Sequence, residues 1–154
     1  MSEKTGPEIK HKTHTFKCAA KWTGGRTWVN TAEDVHDIAG GPPVDFGGEP
    51  GRWTPEDLML ASVNSCQIST FVSLCRKNNF EFVSLESSIE GFLEHDGKGY
   101  KFTKMIVRPR MTVKSQADVA TAIEYHRKAH EVCFMGKSVV AEITVEPEVA
   151  VAVM

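Results

Sequence analysis

Between Leu58 and Cys75 the chain runs for eighteen residues without a single charge. That comes close to the roughly 20 apolar residues that cross a bilayer as a helix. Seven of the eighteen are polar, namely Ser62, Asn64, Ser65, Gln67, Ser69, Thr70 and Ser73. A bilayer-spanning helix is therefore not expected, and the run reads as a helix buried on most sides in protein. Its start is well marked: Thr54 to cap, Pro55 at the first helical position, and Glu56 and Asp57 to complement the dipole. Its stop is Asn78-Asn79, which places the last helical residue near Lys77. Leu58, Leu60, Val63, Ile68, Phe71, Val72 and Leu74 surround the axis, the pattern of a central helix. Ser62, Ser65, Cys66, Ser69 and Ser73 form a small-residue band that suits close approach of another helix.

The remaining elements follow from periodicity and turn signals. Lys10 to Val29 favours strands around a turn at Thr23-Gly24-Gly25, and Glu33 to Ile38 reads as another short strand. Gly40-Gly41-Pro42-Pro43 and Gly47-Gly48-Glu49-Pro50-Gly51 punctuate a long loop before the helix. Phe80 to His95 and Tyr100 to Val113 form a hairpin closed at Asp96-Gly97. On the second strand Met105, Val107, Met111 and Val113 share a face, and Pro109 points to an edge or a bulge. Ser115 caps a second helix over roughly Ala117 to Val132, and Val139 to Val145 alternates as a last strand. The class is α+β with antiparallel sheet.

Charge excludes one class of function. Eighteen basic and twenty acidic residues leave a net charge of −2, without the basic footprint of a nucleic-acid binder. No apolar stretch follows the opening Met1 to Pro7, which gives the expectation of no secretory signal and a cytoplasmic location. No glycine-rich phosphate loop follows a strand and no serine elbow occurs, so nucleotide binding and serine hydrolysis are poorly supported.

The four cysteines are Cys18, Cys66, Cys75 and Cys133, with no CxxC spacing. By position alone a mid-helix cysteine such as Cys66 is more often a small buried side chain than a reagent. Cys133 lies where the second helix breaks, a more accessible place for a thiol. His126, His130 and Cys133 follow i, i+4, i+7 spacing on one helical face, a possible zinc triad without an evident fourth ligand. The plainer reading is a polar helix face ending in a thiol.

Thr54-Pro55-Glu56-Asp57-Leu58-Met59-Leu60-Ala61-Ser62-Val63-Asn64-Ser65-Cys66 resembles the helix motif of the OsmC/Ohr family, the osmotically inducible and organic hydroperoxide resistance proteins. Pro-Glu opens an apolar helix, and a cysteine follows ten residues after the glutamate. Ala129-His130-Glu131-Val132-Cys133 resembles the segment holding the family's second cysteine. Thr23-Gly24-Gly25-Arg26 resembles the turn that carries the arginine of the Ohr branch. Phe134 stands where members usually carry proline, and Arg52-Trp53 departs from the common spelling of the loop. The resemblance covers essentially the whole chain. It implies a single OsmC-like domain over 1–154, with antiparallel sheets packed around a central buried helix in an intertwined dimer.

It also implies a thiol-dependent peroxidase acting on organic hydroperoxides, with Cys66 attacking and Cys133 resolving. The implied partners are a dithiol reductant of lipoyl type and a second copy of the chain, with no nucleic acid, membrane, metal or other cofactor. Attack on a peroxide needs a thiolate, and burial opposes one. A compensating cation is needed; Arg26 is the candidate, oriented by Glu56 through a bidentate pair. Ten helical residues place Glu56 about 15 Å from Cys66. The expectation is thus a two-fold homodimer in which Arg26 or Glu56 of one subunit approaches Cys66 of the other. The competing reading is a non-peroxidase relative that binds a small apolar ligand or senses redox state at the dimer cleft.

Overall fold

A computed structural model describes residues 11–153. The opening Met1 to Pro7 stretch and Lys10 lie outside them. The chain divides into two compact units between Thr54 and Pro55.

The first unit is a three-stranded antiparallel sheet of β1 (Ala19–Gly24), β2 (Thr27–Thr31) and β3 (Ile38–Gly40). Gly24 and Gly25 both take positive φ, so the β1–β2 turn falls where the glycines permit it. Trp22 faces Trp28 across the pair, and its indole N–H donates to the Gly25 carbonyl at 2.9 Å. The expected strand at Glu33 to Ile38 begins only at its last residue. Asp34 adopts a left-handed φ of 60°, which turns the chain there and delays pairing until Ile38. The glycine- and proline-rich loop contains one 3-10 turn, Val44–Phe46. Trp53 closes it by pairing with Gly40.

The second unit carries α1 (Pro55–Lys77), β4 (Phe82–His95), β5 (Tyr100–Val113), α2 (Val119–Val132), α3 (Phe134–Ser138), β6 (Glu142–Val145) and β7 (Glu148–Val151). The first helix has the predicted bounds, and Asn79 beyond it takes a left-handed φ of 52°. The β4–β5 hairpin turns at Asp96, whose carboxylate accepts the amides of Lys98 and Gly99. Met105, Val107, Met111 and Val113 are all buried, as their alternation predicts.

Four features differ from expectation. Pro109 is not on an edge strand, because β5 pairs with β4 on one side and with β6 and β7 on the other. β6 meets residues 104–107 and β7 meets residues 110–113, so the proline falls between them, where no N–H is needed. Both pairings are parallel, since α2 and α3 form the crossover that returns the chain to β5. The strand expected over Val139 to Val145 forms only from Glu142, and a further strand, β7, follows it beyond Pro147.

The fourth difference concerns α1. Its buried residues are Val63, Gln67, Phe71 and Cys75, a single i+4 stripe and not the full circumference. Ser62, Ser65, Ser69 and Ser73 are exposed and Cys66 is half-buried, so within the chain the serines of the band take no part in the α1–α2 contact. The small side chains at that contact are Ala122 and Ala129 of α2, both fully buried. The polar residues of the uncharged run have specific partners: Asn64 donates to the Ser87 carbonyl at 3.0 Å and accepts the Ser87 hydroxyl at 2.6 Å. These bonds hold α1 to β4. α1 is long and apolar enough to cross a membrane by length and composition alone.

Candidate active site

Cys66 and Cys133 are sixty-seven residues apart in sequence and adjacent in the fold. α1 supplies the first and the α2–α3 junction supplies the second. Val132 ends α2, and Cys133 takes an extended conformation (φ −65°, ψ 115°) before the chain restarts as α3 at Phe134. A restarted helix leaves its first amides without intrahelical acceptors. Here sulfur accepts them. The Phe134 and Met135 N–H groups donate to the Cys66 sulfur, and the Gly136 N–H donates to the Cys133 sulfur at 3.4 Å.

These donors decide the protonation of the pair. Burial pushes the Cys66 thiol up, but hydrogen bonds from Met135, the Cys133 thiol, Phe134 and Thr70 outweigh it and hold Cys66 below the ordinary thiol range. Cys133 goes the other way. Its own burial raises it, the Gly136 amide opposes that only in part, and a thiolate on Cys66 raises it further. The two thiols thus titrate in a fixed order, Cys66 losing its proton more readily than Cys133. Both are free thiols; Cys133 is buried and Cys66 is half-exposed. Phe134, 76% exposed, and Met135, 38% exposed, give the segment beside Cys66 an apolar surface.

Glu56 is in the first turn of α1, ten residues before the mid-helix Cys66. It lines an apolar pocket of about 420 Å³ with Met59, Leu93, Phe102, Met105 and Val139. Its Oε2 is buried without a hydrogen-bond partner among the described residues. Arg26 belongs to the first unit, in the β1–β2 turn, with its guanidinium packed on Gly47, where a Cβ would collide with Nη1. The structure therefore brings Cys66 and Cys133 together and leaves Glu56 in a separate pocket.

The alternative metal triad does not form. Among the described residues no group of three His, Cys, Asp or Glu side chains is placed to hold a metal ion. The His126 ring turns into the α1 contact and stacks on Phe71, with centroids 3.8 Å apart and planes 7° apart. Burial lowers its pKa to about 4, so it is neutral, and neither ring nitrogen has a partner among the described residues. Two contributors were missed in the sequence: the α3 amides and Thr70. Main-chain donors carry no residue signature. Thr70, however, is one helical turn beyond Cys66, the i+4 spacing at which helical side chains meet.

The OsmC family model, described as OsmC-like protein, matches residues 47–148. The chain is 28% identical over 143 residues to the uncharacterized protein YmaD of Bacillus subtilis strain 168, covering 90% of this chain and 95% of that one. It is 30% identical over 137 residues to the organic hydroperoxide resistance protein-like 1 of Staphylococcus saprophyticus, covering 88% and 96%. Among solved structures, an OsmC-like protein of unknown function from Vibrio cholerae superposes with a TM-score of 0.79 at 20% identity, covering 88% of this chain and 99% of that one.

Proposed function

Because the chain belongs to the OsmC-like protein family, we propose that it is a thiol-dependent peroxidase that reduces organic hydroperoxides. The observation that carries this reading is the Cys66–Cys133 pair, two hydrogen-bonded thiols of which Cys66 is held below the ordinary thiol range and Cys133 is pushed above it. The thiolate attacks one peroxide oxygen and the O–O bond breaks. The leaving alkoxide takes a proton and departs as the alcohol, and Cys66 becomes a sulfenic acid. The Cys133 sulfur then attacks the Cys66 sulfur, water leaves, and a disulfide forms. A dithiol reductant restores both thiols by exchange and is itself oxidised to its disulfide. The apolar surface of Phe134 and Met135 favours an organic peroxide over hydrogen peroxide. The named relative from Staphylococcus saprophyticus adds support for the same substrate class.

The proposal includes a homodimer in which Arg26 and Glu56 of one subunit serve Cys66 of the other. Three observations favour it. α1 buries only one stripe of its surface, Trp22 and Trp53 are at least half exposed, and the buried Glu56 oxygen lacks a donor among the described residues. A guanidinium would satisfy that oxygen. The cytoplasm, where thiols stay reduced, is the proposed location.

The test is a count of free thiols before and after one equivalent of cumene hydroperoxide. Loss of two per chain, with a Cys66–Cys133 disulfide by mass spectrometry, is the expected result. No loss refutes the peroxidase and favours the ligand-binding reading. Sedimentation tests the assembly: a monomer at micromolar concentration that still consumes peroxide breaks the shared-site proposal.

A further inference from the structure

A carboxamide sits in the middle of the α1–α2 contact, one residue from the reactive cysteine. Gln67 is only 2% exposed, and its Nε2 donates at 3.1 Å to the main-chain carbonyl of His126. The contact around it is otherwise apolar or small: Phe71, one turn further along α1, packs in one buried cluster with Ala122 and Ala129 of α2. A buried amide amid such neighbours contributes little that an apolar side chain would not, apart from direction. Apolar contact is non-directional and lets two helices slip or roll, whereas a hydrogen bond weakens steeply when misaligned.

The location gives that direction a use. Cys66 precedes Gln67, and Cys133 follows His126 by seven residues, two turns along the same face of α2. The bond therefore fixes how far α1 is rotated at the turn that carries Cys66. With Cα atoms about 2.3 Å from a helix axis, a sulfur is about 4.5 Å out, so a 20° roll moves it by about 1.5 Å. That displacement is enough to take the Cys66 sulfur away from Cys133 and the α3 amides. The same residue of α2 clamps the turn twice, since its ring stacks on Phe71 while its carbonyl receives Gln67.

We propose that Gln67 is the positioning residue of the cysteine pair: through the His126 carbonyl it sets the rotation of α1 and keeps the Cys66 sulfur against Cys133 and the α3 amides. This deepens the peroxidase reading and rests on it for its catalytic meaning, but its physical content concerns Cys66 alone. The experiment alkylates the reduced full chain with iodoacetamide across the thiol titration range and follows Cys66 by mass spectrometry. Thermal melts run in parallel. Gln67→Met keeps the length and removes the donor, and Gln67→Asn keeps the donor but is one methylene short. Both are expected to raise the pH midpoint of Cys66 alkylation by about half a unit or more, about a threefold loss of thiolate below the midpoint. His126→Phe keeps both the carbonyl and an aromatic stack, and should leave the midpoint in place. A folded Gln67→Met protein with an unchanged midpoint overturns the proposal; if that variant does not fold, an unchanged midpoint in Gln67→Asn does the same. A raised midpoint in a protein that never consumes hydroperoxide supports the positioning and breaks only the peroxidase reading.

Discussion

Cys66 and Cys75 are on the same helix, nine residues apart, and their thiols are shifted in opposite directions although burial raises both. Cys75 is buried among Phe71, Met111, Val113, Ala122 and Ala129, and this desolvation pushes its thiol up to about 11. Its own main-chain hydrogen bond offsets little of that. Cys66 pays a desolvation cost too, yet ends below the ordinary thiol range because two amides, a hydroxyl and a second thiol converge on its sulfur. The helix is the same and so is the residue type. What differs is whether the chain opposite is a sealed apolar layer or a broken helix with unpaired N–H groups. The downward shift of Cys66 thus comes mainly from the α2–α3 junction, with Thr70 the one donor supplied by the helix that carries the thiol.

The largest effect tests this contrast directly. Cys66→Ser is expected to abolish hydroperoxide consumption, a loss of at least about 100-fold, because no other described cysteine combines exposure with such donors. Cys75→Ser should retain most of the activity, since a thiol near 11 is protonated at neutral pH. A ferrous–xylenol orange assay of residual peroxide separates the two. Equal losses in both variants would erase the distinction.

His126 marks the border between the two regions, stacked on Phe71 with Cys66 toward one end of α1 and Cys75 toward the other. Its folded pKa is about 4, well below that of an unfolded imidazole near 6.5. The unfolded chain therefore binds a proton that the folded chain refuses between those values. Stability is expected to fall as pH drops from about 6.5 to about 4, by about 2 kcal/mol between pH 7 and pH 5. His126→Phe keeps the stack and removes the titration, so urea unfolding of that variant should lose most of this pH dependence. An unchanged slope would move the acid sensitivity elsewhere.

How much of this was legible in sequence differs between the same two regions. The ends of α1, the β4–β5 hairpin and the cysteine pair each have a local signature: Thr54-Pro55, Asn78-Asn79, Asp96-Gly97, and a family motif around Cys66 and Cys133. The sealed layer at Cys75 follows from alternation on β5. The junction opposite Cys66 does not, because Phe134 to Ser138 is a single helical turn with no periodicity to detect. The parallel return of β6 and β7 was hidden for a related reason. Pro109 and Pro147 are both strand breakers taken alone, and only in register does each explain the other. The one-sided burial of α1 escaped as well, since a ring of apolar residues reads the same whether the cover is the chain itself or a second copy.

The finest test lies in the residue after Cys133. Phe134 stands where proline is usual in the family, and its N–H is one of the two amides on the Cys66 sulfur. Proline would remove that donor while leaving the backbone intact. It favours the first position of a helix, and the extended Cys133 backbone, ψ 115°, is what a residue before proline requires. A hydrogen bond to a charged group is worth about 1.5–3 kcal/mol. With Met135, Thr70 and Cys133 still donating, the lower end applies, so the pH midpoint of Cys66 alkylation should rise by about one. Phe134→Ala keeps the N–H and serves as the control for the lost ring, and its midpoint should not move. If Phe134→Pro and Phe134→Ala behave alike, the ring and not the amide governs Cys66, and the contrast with Cys75 must then rest on Met135, Thr70 and Cys133 alone.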